Sequence, residues 1–126
     1  WNKNKESVLS MIKELFNEKN NHIYILQKNN NPIAYFAITY SKNGKTSYLD
    51  YFGIKKEYQR KGLSRVMMDH AIKIIQRNKC KLIELGVWGK NFPAIGLYTR
   101  YGFYVINISK NKYPNGDAKL FMRKDL

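Results

Sequence analysis

The chain is short of negative charge and of cysteine. Nine acidic residues stand against 23 lysines and arginines, which leaves a formal charge of +14 over 126 residues. The single cysteine, Cys80, excludes an internal disulfide and a cysteine-built metal cluster, and it fits a reducing compartment, so a cytoplasmic location is expected. There is no run of about 18 apolar residues and no leader with a charged and then an apolar region, so the expectation is a soluble protein with no membrane association. Arginine, which reads base edges and clamps phosphates bidentately, is scarce beside lysine. Asparagine is abundant, as in Asn20-Asn21 and Asn29-Asn30-Asn31, and a general lysine and asparagine bias would produce this charge without selection for binding. The charge therefore admits an anionic cofactor or nucleic acid as partner without selecting either. A homodimer is equally compatible with the composition.

What is present is the length and apolar content of one globular domain over residues 1–126. Val8, Leu9, Ile12, Leu15 and Phe16 recur at helical spacing, which predicts a packing helix over about Lys5 to Glu18. His22 to Lys28 and Ile33 to Tyr40 alternate as strands around an Asn29-Asn30-Asn31-Pro32 turn. Lys42-Asn43-Gly44-Lys45 predicts a hairpin, with Asn-Gly suited to a type I′ turn, and a third strand runs from Thr46 to Ile54. A second amphipathic helix, supported by an Asp69 and Lys73 pair, follows from Leu63 to about Asn78. The Lys81 to Trp88 strand then returns parallel to the third, because the helix between them makes a crossover. A short helix from Phe92 to Tyr101 begins at Asn91, and Phe103 to Ser109 and Ala118 to Lys124 close the sheet around Asn115-Gly116. The class is α+β, with a single mixed, mostly antiparallel sheet flanked by helices.

The stretch Tyr58-Gln59-Arg60-Lys61-Gly62-Leu63-Ser64-Arg65 lies between a strand and a helix. Such a turn aims free N–H groups and the positive end of a helix dipole at one point, a seat for phosphate. By itself the motif reads equally well as a solvated turn. The second candidate region, Asn91 with the helix that carries Tyr98, follows the neighbouring parallel strand, and ligands collect where two such strand ends diverge.

Gln59-x-x-Gly62-x-Ser64, a strand ending in Leu85-x-Val87, and Asn91-x-x-Ala94-x-x-Leu97-Tyr98-x-x-Tyr101-Gly102-Phe103 occur in that order. Together they resemble the GCN5-related N-acetyltransferase (GNAT) family over about Ile33 to Leu126. The resemblance implies the GNAT, or acyl-CoA N-acyltransferase, fold with a central β-α-β unit that binds acetyl-CoA as co-substrate. By the same resemblance, Gln59, Arg60, Lys61, Gly62, Leu63, Ser64 and Arg65 hold the pyrophosphate, and the backbone of Phe52, Gly53 and Ile54 pairs with the pantetheine arm. Asn91 is implied at the far part of that arm, or serves as a helix cap. Tyr98 matches the family tyrosine that protonates the leaving thiolate. Asp50 stands where similar enzymes carry a carboxylate that deprotonates the amine through water, although a solvated strand carboxylate accounts for it equally.

The implied reaction is direct transfer of an acetyl group to a primary amine of a small molecule or peptide, in a ternary complex. A lysine-like ammonium, pKa ~10.4, must lose its proton first. Neither His22 nor His70 is expected to act as the base, and Cys80 has no partner base that would make it an acyl carrier. The sequence departs from the family pattern in Ser64 for the usual Gly or Ala, in Gly53 within the strand, read as a bulge beside the cofactor, and in the absence of the usual N-terminal strand and helix. An aminoacyl-tRNA-acetylating toxin-like enzyme, and a non-catalytic CoA-sensing or nucleic-acid-binding module, are the alternative functions.

Overall fold

The computed structural model describes residues 13–18 and 21–126, with the backbone alone for 13–18, 51 and 52. The strands are β1 (Lys13–Glu18), β2 (Asn21–Lys28), β3 (Asn31–Tyr40), β4 (Thr46–Ile54), β5 (Leu82–Trp88), β6 (Tyr104–Ser109) and β7 (Lys119–Asp125), and the helices are α1 (Leu63–Arg77) and α2 (Phe92–Arg100). They form one seven-stranded sheet in the order β1-β2-β3-β4-β5-β7-β6. Only the β4–β5 pair is parallel. This is the expected mixed, mostly antiparallel α+β sheet.

One expected element is wrong in type. Residues 13–18, the end of the predicted first helix, form strand β1, paired antiparallel with β2; the earlier part of that helix lies outside the described residues. The register slips between Glu14 and Phe16, leaving Leu15 as an extra residue. A bulge interrupts period-two alternation, so Leu15 and Phe16 stand adjacent in a way that reads as helical. The turn chemistry also shifts. Asn29 and Asn30 both take positive φ, 51° and 65°, as a type I′ turn requires, whereas in the expected Asn43-Gly44 turn only Gly44 does.

The core lies between one face of the sheet and the two helices. Leu63, Met67, Met68, Ala71 and Ile75 bury the apolar face of α1 against Phe36, Ile38, Leu49 and Ile83, with Val66 and Ile74 only partly buried. Full burial stabilises by ~1.5–3 kcal/mol for each large side chain. Helix α2 lies on the same side, since Tyr101 at its end reaches Asp69 and the Arg65 carbonyl of α1. Asp69 is thereby engaged across the helix pair rather than by Lys73. Residues that alternate with the core positions, among them Tyr35, Thr39, Tyr48, Glu84, Gly86 and Trp88, face away from both helices. No described helix is long and apolar enough to cross a membrane.

Candidate active site

The site begins where two parallel strands stop pairing. β4 and β5 are in register at Thr46–Leu82, Ser47–Ile83 and Tyr48–Glu84, and beyond these pairs the ladder ends. The buried Ser47 hydroxyl donates to the Leu82 carbonyl (3.1 Å) and fastens the closed end. Between Phe36 and Ile38 of β3, the partner strand advances from Phe52 to Leu49, so β4 carries an extra residue at Asp50-Tyr51. A bulge bends its strand. The rest of β4 stays paired with β3 as far as Ile54, and β5 with β7 as far as Trp88. Leu49–Ile54 and Leu85–Trp88 therefore face each other across an open wedge with unpaired backbone edges. Phe52, Gly53 and Ile54 lie on this edge.

Gly53 is not the bulge. A β-carbon there would stand 2.5 Å from the Tyr35 ring, so the glycine makes room for that ring. An apolar recess of about 480 Å³, lined by Ile23, Ile25, Tyr35, Gly53 and Ile54 among others, opens beside it on the helix-free face.

The wedge leads into the Gln59–Arg65 loop. The Gln59 side-chain amide donates to the Ile54 carbonyl (2.9 Å) and folds the loop back onto the strand end. Arg60 (φ 62°) and Gly62 (φ 78°) are left-handed, and Gly62 is the residue before the first turn of α1. The Arg65 N–H bonds the Gly62 carbonyl. The N–H groups of Arg60, Lys61, Gly62, Leu63 and Ser64 have no protein acceptor among the described residues. Successive free N–H groups at the start of a 15-residue helix form an anion-binding concavity. Leu63 is buried and anchors the turn, while Arg60, Lys61 and Arg65 are exposed around it. Lys61 and Lys28 both approach the Tyr58 ring, at 6.0 and 5.6 Å from its centroid.

Tyr98 sits on α2, buried, with its ring 5.8 Å from that of Phe103. Burial pushes its phenol above the ordinary value, so it holds its proton. Asn91 caps the helix, its Oδ1 accepting the Ala94 N–H (3.3 Å). Asp50 is exposed on the helix-free face and accepts a 2.6 Å bond from the Thr39 hydroxyl. Glu84, the other acid on an expected strand, is occupied by Arg123 at 2.7 Å. His22 lies among Tyr24 and Tyr40, and Cys80 is buried with its thiol pushed up by desolvation.

The model of the acetyltransferase (GNAT) family matches residues 2–103, which include the wedge, the loop and the Tyr98 helix. The chain belongs to the GNAT family. The ribosomal protein bS18-alanine N-acetyltransferase of Escherichia coli K12 is 31% identical over 90 residues, 71% of this chain and 60% of that protein. The spermine/spermidine N(1)-acetyltransferase of Bacillus subtilis is 42% identical over 64 residues, half of this chain and 41% of that protein. The chain thus spans at most about 60% of these relatives' length. Among solved structures, the E. coli ribosomal-protein-S18-alanine N-acetyltransferase superposes with a TM-score of 0.80 at 23% identity, over 86% of this chain and 71% of that one. A GNAT family acetyltransferase from Elizabethkingia anophelis with acetyl-CoA bound gives 0.77 at 17% identity, over 85% and 77%.

Two features of this GNAT chain escape sequence reasoning. The Tyr101 contact that joins α2 to the first turns of α1 depends on how the helices pack. The second is Asp117, which accepts from Trp88 Nε1 (2.8 Å) and Asn115 (2.8 Å) and pairs with Lys90 (3.0 Å), binding the β6–β7 loop to the end of β5. The Asn115-Gly116-Asp117 run signalled the turn and nothing of its anchor.

Proposed function

We propose that the chain is an acetyl-CoA-dependent N-acetyltransferase that moves the acetyl group to a primary amine by direct attack in a ternary complex. The reading rests on one observation above the others: five consecutive N–H groups without a partner among the described residues, at the mouth of a wedge between two parallel strands. That loop matches a pyrophosphate in charge and donor chemistry, and the open β4 edge matches an extended amide-bearing arm. Acetyl-CoA supplies an activated thioester acyl group.

The residues of the chain do the rest. The Arg60–Ser64 amides, with Arg60, Lys61 and Arg65 around them, bind phosphate oxygens. The edge of Phe52, Gly53 and Ile54 offers backbone partners, and Asn91 holds the start of α2. Asp50, on the open face, takes the proton of an arriving ammonium directly or through water. Its Thr39 bond fixes the carboxylate, and Glu84 is unsuited because Arg123 holds it. Tyr98 Oη keeps its proton up to high pH and delivers it to a leaving thiolate. The family relatives named for ribosomal-protein alanine and for spermine support an amine acceptor, peptide or small molecule. The test is release of free thiol from acetyl-CoA across an amine panel, with acceptor-dependent release expected.

A further inference from the structure

Gly86 lies at the edge of the wedge on β5, facing away from the helices, and its β7 neighbour in register is Phe121. A β-carbon at Gly86 would collide with Lys119 Cε and stand 3.1 Å from Nζ. The Lys119 side chain therefore lies over β5 at Gly86, the position of that strand without a side chain, and its ammonium stands 5.4 Å from the Phe121 ring centroid. The other cations of this part of the face are compensated, Arg123 by Glu84 and Lys90 by Asp117. No carboxylate among the described residues lies within ion-pair distance of Lys119. An uncompensated positive charge thus stands beside the wedge, on the same face as Asp50. Trp88, paired in register with Lys119, opens into a second recess of about 520 Å³ with Tyr113, Pro114 and Asn115.

We propose that Lys119 selects the acceptor: it favours amines that carry a carboxylate close by, as at the start of an acidic peptide, and disfavours polycations. The proposal rests on the transferase reading above. Asp50 would handle the amine's proton while Lys119 fixes the counter-charge, and the Trp88 recess has room for a further peptide side chain. In a chain with a net charge of +14, a polycation also meets repulsion before it reaches the wedge.

The experiment uses two peptides that differ only in their second residue, Ala-Glu and Ala-Lys, together with spermine. They are compared in the wild type, Lys119→Ala and Lys119→Glu. The wild type is expected to prefer Ala-Glu in kcat/KM by about tenfold, the size of one partly screened charge contact. Lys119→Ala brings the ratio near one and Lys119→Glu inverts it, with the KM for acetyl-CoA unchanged. The same ratio is read independently from fluorescence anisotropy of labelled peptides. If Lys119-dependent preference in binding is seen without thiol release, the selectivity stands and the transferase reading falls. A ratio indifferent to Lys119→Glu, in turnover or in binding, overturns the selectivity and makes the side chain a cover for Phe121 alone.

Discussion

The Tyr101 phenol oxygen stands 2.7 Å from the Asp69 carboxylate and 3.1 Å from the Arg65 carbonyl. One hydroxyl thus joins the end of α2 to the first two turns of α1, and Lys124 holds the Tyr101 carbonyl from β7 (2.6 Å). The helix that carries Tyr98 and the helix that presents the anion loop are tied side by side. Burial and Asp69 push the Tyr101 phenol up to about 12.

Because that pKa is raised, the stabilisation by Tyr101 is complete below the ordinary phenol pKa of ~10 and is lost as pH rises through about 12. Tyr101→Phe should cost about 1–2 kcal/mol, held to this range by its partial exposure. Urea unfolding at pH 7 measures this. The variant should also raise the KM for acetyl-CoA severalfold while sparing the KM for the amine.

Tyr98→Phe should lower kcat by about 10²-fold, the lower end of the range for a positioned general acid. Acetyl-CoA binding, followed by calorimetry, should be unchanged. Unchanged turnover would assign Tyr98 to packing against Phe103 alone.

Asp50→Asn should slow the reaction at pH 7 by about 10²-fold and recover as pH approaches the pKa of the free amine, ~10.4 for a lysine-like acceptor. A pH–rate profile parallel to that of the wild type would remove Asp50 from the proton path.

Asp117 is held below the usual carboxylate range, first by Lys90 and then by the Trp88 indole. The sign follows from a lowered pKa: the anchoring is complete above the ordinary carboxyl pKa of ~3.9 and is lost as pH falls through the depressed value. Trp88 emission, recorded in a Trp1→Phe background, should stay constant down to about pH 4 and shift only below it. Asp117→Ala should show the shifted emission at every pH.

Most of the fold from Asn21 onward was legible, because β2 keeps its period, β3 and β4 keep theirs over several residues outside their single bulges, and α1 keeps its apolar stripe. β1 was not legible, since the bulge at Leu15 destroys the alternation that would have marked a strand. Gly53 was misread for a similar reason: its neighbour across the sheet, Tyr35, is set by register and has no local signal. The anion loop was legible because its chemistry is contiguous in the chain. Lys119 was not, because its place beside the wedge comes from the β5–β7 pairing and from the empty space above Gly86, 33 positions away in sequence.

The central claim is that the wedge and the Arg60–Ser64 loop carry acetyl transfer to an amine. It is tested most directly by the initial rate of thiol release from acetyl-CoA with and without an Ala-Glu peptide, together with the mass of the peptide. The account predicts saturable, peptide-dependent release, with one acetyl group gained per thiol. Release that ignores the peptide, with the peptide mass unchanged, would contradict it.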